Sequence, residues 1–316
     1  MRLKLSFPYP VISFCVFLYC RLSEEDMNKL IVLFFLFFGL AELRGQSVEV
    51  QANYNSVGDV DFIAYNNTSA PVYLNIDFAD LENTVFHEPL PYIKFLEPGF
   101  NTLFTLFREP DAEVPRFNYQ LKVFRSDPMS LTDLNFPYLI PFSEGLEVLV
   151  KEVKNLDGFW GSIAPGSWNA TGFVTKSGEA VFASRSGIVV EVVGAKRTGD
   201  PQNWYHTWNH SVTLLHPDGT LICYRNVFDN GEKLRVGEKI FAGQQIGEVT
   251  KGADELIILI YQQKLNSSDL RFIIPQFVTS EDEVSLLLSS KKYTVIHPKD
   301  IKGLEMNSRE KRRFLR

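Results

Sequence analysis

Three histidines stand close together in Trp204-Tyr-His-Thr-Trp-Asn-His-Ser-Val-Thr-Leu-Leu-His-Pro-Asp-Gly219, at His206, His210 and His216. Imidazole is a common metal ligand and titrates near neutral pH, so metal or acid–base chemistry would be sought here first. His206 and His210 are four residues apart, a spacing that on a helix would put both rings on one face, with Asp200 as a third donor. Pro201, Asn203 and the surrounding aromatics argue for a loop instead. His210 and His216 share strand parity, but six residues at about 3.3 Å each hold them roughly 20 Å apart, too far for one ion. His206, His210 and Asp200 are thus a metal candidate weighed against ordinary loop residues, which is the simpler reading. His87 is isolated and reads as a surface or half-buried side chain; His297 stands far downstream. Cys223, in the strand-like Leu221-Ile-Cys-Tyr-Arg225, reads as a packed thiol rather than a nucleophile. No Gly-x-Ser-x-Gly elbow and no phosphate loop is present.

The elements that must position such residues are strands. The chain has 316 residues, 45% of them hydrophobic, with 26 Phe and 12 Tyr. That composition supports a core and favours β structure. The formal charge of −6 argues against nucleic acid as a partner. Residues 1–45 read as a targeting segment: Lys29 supplies a positive start, Leu30 to Leu40 an apolar run, and Gly45 a small residue before a cleavage point. Residues 1–26 carry a second apolar run, and Met27 is the expected true start; an uncleaved or two-pass anchor is the alternative. Membrane contact is expected through this segment only. Tyr19 before Cys20 is too large for a lipoprotein box. Of Cys15, Cys20 and Cys223 the mature chain would keep one, which excludes an internal disulfide.

Residues 46–126 show period-two alternation, as in Val48, Val50, Ala52, Tyr54 and again in Phe117, Tyr119, Leu121, Val123. Turn signals separate the runs, which predicts a small immunoglobulin-like sandwich. Residues 127–171 are a connector rich in Pro, Gly and aromatics. Residues 172–263 return to strands and turns, and 264–316 form an extension with a basic tail, read as solvated or as a short helix.

Two glycine-punctuated patterns dominate the second half: Gly178-Glu-Ala-Val-Phe-Ala-Ser-Arg-Ser-Gly187-Ile-Val189 and Val236-Gly-Glu-Lys-Ile-Phe-Ala-Gly243-Gln-Gln-Ile-Gly247. With the intervening Val212-Thr-Leu-Leu-His216-Pro-Asp-Gly219 and Tyr224, they resemble the lysostaphin-like (LytM-type, M23) zinc endopeptidases that cut peptidoglycan cross-bridges. The resemblance covers 172–263 and implies a barrel-like β domain, the duplicated hybrid motif. A biotinyl-type barrel would match the second pattern alone, but Lys239 and Lys251 lack the hairpin setting such a carrier needs. The family's zinc site uses His-x-x-x-Asp, His-x-His and a histidine in Tyr-x-His-Leu. Zinc with three protein ligands would keep a fourth position for an activated water. The resemblance places those roles on Trp168, Gly172, Asn226, Ile258 and Ile260, none of which can serve. Zinc is expected to be absent, and no other cofactor is indicated. The former metal face is expected to be apolar and partly collapsed, filled by Trp168 or Trp160. His216 falls where the family commonly has a non-ligand histidine.

The sequence therefore predicts an exported, two-domain, all-β pseudopeptidase of a bacterial envelope, in the periplasm or outside. Peptidoglycan or a cell-wall hydrolase is the expected partner, with Trp160, Trp168, Trp204, Trp208 and Tyr224 as candidate contacts, because loop aromatics can stack on sugars or anchor partners. An active zinc endopeptidase with unusual ligands, or a structural envelope protein, are the alternatives.

Overall fold

The computed structural model describes residues 47–154, 166–194, 210–229, 234–266 and 270–315. The first seven strands are β1 (Val48–Tyr54), β2 (Val60–Asn66), β3 (Val72–Glu82), β4 (Thr84–Val85), β5 (Tyr92–Leu96), β6 (Gly99–Arg108) and β7 (Arg116–Phe124). They form two sheets, ordered β1-β2-β6-β4 and β5-β3-β7. Alternation drives the pairing of faces. In β2 every second residue, Val60, Phe62, Ala64 and Asn66, is buried, and these meet Leu74 and Ile76 of β3 in one core. Phe62 is at its centre, stacked on Phe104 at 4.7 Å and edge-on to Phe78 at 6.0 Å. On β7 the alternation holds but the burial does not: Leu121 and Val123 remain exposed.

The rest of the chain adds β8 (Pro137–Tyr138), β9 (Glu147–Glu152), β10 (Thr171–Val174), β11 (Ala180–Phe182), β12 (Gly187–Val193), β13 (Ser211–Leu215), β14 (Leu221–Arg225) and β15 (Val227–Phe228). Then come β16 (Lys239–Ile240), β17 (Gln245–Val249), β18 (Glu255–Gln263), β19 (Leu270–Phe272), β20 (Gln276–Ser280), β21 (Glu283–Ser285) and β22 (Lys292–Thr294). Two short helices follow, α1 (Lys299–Lys302) and α2 (Ser308–Phe314). A nine-stranded sheet runs β16-β12-β13-β14-β18-β10-β9-β22, with β19 also paired to β18. The expected barrel does not close: β16 and β22 are opposite ends of an open sheet. The reason lies in the second layer, since β11-β17-β15 form a separate small sheet that covers one face.

β18 explains itself. Leu256 to Gln262 are all buried, because this strand lies inside the long sheet between β14 and β10 with side chains packed on both faces. Leu256, Ile258 and Ile260 enter the core between the sheets, with Val181, Val227, Ile246 and Val249 of the small one. Ile257, Leu259 and Tyr261 enter a different cluster on the outer face. That outer cluster also receives Tyr73 and Phe95 from β3 and β5. The N-terminal sheets are thus docked against the outer face of the long sheet.

The connection is stitched by polar groups. The side-chain oxygen of Gln263 accepts the Arg125 N–H at 2.6 Å, and Gln262 donates to the Asp127 carbonyl at 2.8 Å. Gly219 is required beside it: its φ is +79°, and a Cβ there would fall 2.3 Å from Asp127 Cβ. The C-terminal residues are integrated as well. Tyr293 and Val295 enter the inner core, and Phe314 of α2 packs on Phe241 at 4.5 Å. No helix among the described residues is long and apolar enough to cross a membrane.

Candidate functional site

The five positions singled out for the zinc site do not converge. Ile258 and Ile260 point into the core between the sheets. Trp168 packs on the opposite, outer face of the long sheet. Side chains alternate along a strand, so a pair at Ile258 and Ile260 cannot share a pocket with Trp168; one step along β18, Ile257 and Leu259 do. The expectation that Trp168 fills a space beside Ile258 and Ile260 is corrected by that parity.

Gly172 pairs with Ile257 on β18 and Lys151 on β9. A Cβ at this position would lie 2.9 Å from Val153 Cγ2 and 3.0 Å from the Lys151 carbonyl oxygen. A carboxylate side chain has no room here. Trp168 lies edge-on to Phe272 at 4.9 Å, and its indole N–H donates to the Val153 carbonyl at 2.8 Å. Asn226 ends β14 in a left-handed conformation, φ 64°, which Asn tolerates better than most residues. Its side-chain amide donates to the Glu255 carbonyl at 3.0 Å.

Zinc, which the resemblance implies, takes imidazole, thiolate or carboxylate donors. None of Trp168, Gly172, Asn226, Ile258 and Ile260 offers one, and the neighbouring Cys223 is buried with its thiol pushed up to about 11 by burial. The residues present do not fit the ion. Among the described residues no group of three or more His, Cys, Asp or Glu is placed to hold a metal.

The other sequence candidates divide. Tyr224 is not a surface contact: it is fully buried in the inner core, and its hydroxyl accepts the Ser184 N–H at 2.7 Å. Trp160, Trp204, Trp208, His206 and Asp200 lie outside the described residues. His210 packs edge-on to Phe228 at 5.1 Å, and its Nδ1 is buried without a hydrogen bond. His297 is buried, with Nε2 3.0 Å from the Ile140 carbonyl oxygen.

The structure assembles a polar cluster that the sequence did not announce. Arg185, in the turn before β12, is 3% exposed. Its guanidinium donates to Asp218 Oδ2 at 2.8 Å, to Glu305 Oε1 at 2.8 Å and to the Tyr138 hydroxyl at 3.2 Å. The plane stacks on Phe136, with Cζ 3.7 Å from the ring centre. His216 lies alongside, its ring 5.8 Å from Tyr138. Its Nδ1 is 2.7 Å from the Ser186 carbonyl oxygen, which fixes that nitrogen as the donor. Burial, and then the Arg185 charge, push the His216 pKa down to about 3. For Asp218, burial alone would raise the pKa, but Arg185 and the Thr220 hydroxyl hold it below the usual carboxylate range. For Glu305 burial wins and the pKa is raised. Arg185 sits inside the first glycine pattern and Asp218 in the Pro-Asp-Gly turn. Nothing in one sequence joins them to Glu305.

No family model matches the chain, and no curated protein matches it. Solved structures do. The solution structure of lysostaphin is 22% identical over 33% of this chain and 39% of that one, with a TM-score of 0.25. The M23 metalloprotease pseudoalterin is 11% identical over 52% of this chain and 97% of that one, TM-score 0.30. Csd3 of Helicobacter pylori is 13% identical over 85% of this chain and 77% of that one, TM-score 0.32. The chain spans less than half the length of lysostaphin. The solved structures to which this all-β chain is similar are therefore LytM, lysostaphin and other M23-type peptidases, the family that its glycine patterns resemble.

Proposed function

We propose that this protein is an exported, non-catalytic LytM-type pseudopeptidase that binds peptidoglycan or a cell-wall hydrolase in a bacterial envelope. One observation carries the reading. Both faces of β18 are hydrocarbon: Ile258 and Ile260, the positions matched to the His-x-His pair, are buried in the inner core, and Ile257 and Leu259 lie in the outer cluster against which Trp168, Tyr73 and Phe95 pack. A hydrolytic site needs water and a polar donor set; either face of β18 offers aliphatic side chains. Burying each isoleucine contributes about 1.5–3 kcal/mol, so the strand serves stability. The strand order β1-β2-β6-β4 opposite β5-β3-β7 supports an immunoglobulin-like sandwich as the covering part.

Binding is the function left to such a fold, and the partner class follows from the resemblance alone. The test combines three measurements on the purified protein: zinc content, muropeptide hydrolysis with and without chelator, and co-sedimentation with intact sacculi. The expected result is zinc far below one ion per chain, no hydrolysis, and recovery with sacculi or with a captured envelope hydrolase. Chelator-sensitive hydrolysis overturns the reading.

A second reading is favoured by one feature, the unpartnered Nδ1 of His210. It would make His210 a ligand of an unconventional zinc site with His206 and Asp200. Near-stoichiometric zinc that is lost in His210→Ala and in His206→Ala would establish it. No recovery with murein or a hydrolase would leave a structural envelope role.

A further inference from the structure

A cavity of about 420 Å³ opens where the N-terminal sheets, the long sheet and the C-terminal segment meet. Its walls include Tyr73, Phe95, Ile188, Leu215 and Pro217, and its polar lining includes His216 and Glu305. We propose that it is a binding site for a small organic cation, an apolar body carrying a protonated amino group. The proposal does not depend on the reading above, because the cavity uses none of the five degenerate positions.

The volume lies in the range of small-molecule pockets. The walls supply apolar surface for a hydrocarbon body, with Tyr73 and Phe95 forming an edge-on aromatic pair at 5.1 Å. The polar end determines the rest. Arg185 donates to Asp218, Glu305 Oε1 and Tyr138. Asp218 Oδ1 accepts from the Thr220 hydroxyl at 2.7 Å. Two buried atoms make no hydrogen bond, His216 Nε2 and Glu305 Oε2. Both are acceptors. Since His216 Nδ1 donates to the Ser186 carbonyl, Nε2 carries a lone pair. A carboxylate oxygen only accepts. A buried acceptor without a donor is costly, so the complement is a ligand rich in N–H or O–H groups.

Charge selects the cation among such donors. The cluster holds one positive group, Arg185, against two carboxylates, Asp218 and Glu305. Lys239 at the rim is neutralised by Glu310 at 2.7 Å. The deficit is one positive charge, and a primary ammonium supplies it with three N–H donors. An anion would meet the Glu305 carboxylate in the lining, with Asp218 behind it on Arg185.

The test is calorimetric titration of the full-length protein near pH 7 with leucinamide and phenethylamine, both cations with apolar bodies, and with N-acetyl-leucinamide, which lacks the charge. Binding of at least one cation and none of the acetylated probe is expected. Glu305→Gln should weaken binding by about tenfold, the effect of losing a charged hydrogen-bond partner. Ile188→Trp, which fills the cavity from its apolar wall, should abolish it while leaving the circular dichroism unchanged; should either variant fail to fold, the other decides. No binding of either cation, equal binding of the acetylated probe, or full binding by folded Ile188→Trp overturns the proposal.

Discussion

Arg185 Nη2 lies 2.8 Å from Glu305 Oε1, which ties the turn before β12 to the C-terminal segment. Both side chains are nearly buried, at 3% and 12% exposure. The same guanidinium holds Asp218, so one cation compensates two carboxylates in a low-dielectric setting. Replacing Arg185 by Met leaves both without a countercharge, and Asp218 with only its Thr220 hydrogen bonds. The expected loss of stability is about 3–5 kcal/mol, the range for breaking a buried ion pair by removing one member. Urea unfolding of Arg185→Met measures it. The triple replacement of Arg185, Asp218 and Glu305 by apolar residues should recover much of that loss, because no buried charge then remains.

The pH dependence follows from His216. Its pKa is pushed down to about 3 in the folded protein by burial first and Arg185 second, against about 6.5 in an unfolded chain. Between those values the unfolded state binds a proton and the folded state does not. Stability therefore falls as pH is lowered from about 6.5 towards 3, by up to about 1.4 kcal/mol per pH unit for this one group. His297, also lowered chiefly by burial, acts in the same direction. Glu305 acts oppositely: its raised pKa means that protonation in acid relieves a burial penalty. Asp218, held low, adds a loss only when pH falls below its unfolded pKa. Urea midpoints measured across this range should decline towards acid, and His216→Phe should flatten the upper part of the curve. A midpoint unchanged between pH 6.5 and 4 contradicts the assignment of a buried neutral imidazole.

Gly172 offers a steric test beside β18. With Val153 Cγ2 at 2.9 Å and the Lys151 carbonyl oxygen at 3.0 Å from where a Cβ would lie, inside ordinary van der Waals contact, Gly172→Ala should destabilise by about 1–3 kcal/mol, as overpacking does. Gly172→Asp should cost more, since a charge is then buried as well. An acidic side chain at this point is thus a folding problem first. Thermal denaturation of both variants, with and without added zinc, checks it: zinc should not raise the midpoint of either.

Much of this was legible in the sequence, and the limits have physical causes. The alternation in Val60 to Asn66 and the uninterrupted apolar run of β18 declare strands with one and two buried faces, and the structure has both. The glycine patterns mark tight corners at fixed spacing. Register is harder. A one-residue shift along β18 exchanges Ile258 for Ile257, both aliphatic, so hydrophobicity alone cannot say which face each serves. Tyr224 was legible as a strand residue but not as a core one, because its hydroxyl is satisfied by the backbone of Ser184, a partner 40 residues away. The Arg185–Glu305 pair is separated by 120 residues, and no periodicity connects such positions.

The docking of the N-terminal sheets can be read through Cys223. The residue is 8% exposed and belongs to the outer cluster, and burial pushes its thiol pKa up to about 11. A thiol so placed is protonated and shielded, and should resist labelling in the native protein. Tyr73 and Phe95 reach the same cluster from β3 and β5. If they are what closes the outer face, Phe95→Ala should loosen that contact without removing any residue of the long sheet. Cys223 should then react with an aromatic disulfide reagent at least about tenfold faster, through local opening rather than global unfolding. The control is stability: an increase in labelling larger than the loss in unfolding free energy predicts is the signature of a separated interface. In a variant that also carries Cys15→Ser and Cys20→Ser, Cys223 is the sole thiol, so the rate reports one position. Labelling that accelerates only in step with global unfolding would mean that the long sheet protects Cys223 by itself. The N-terminal sheets would then not be the cover of that outer face.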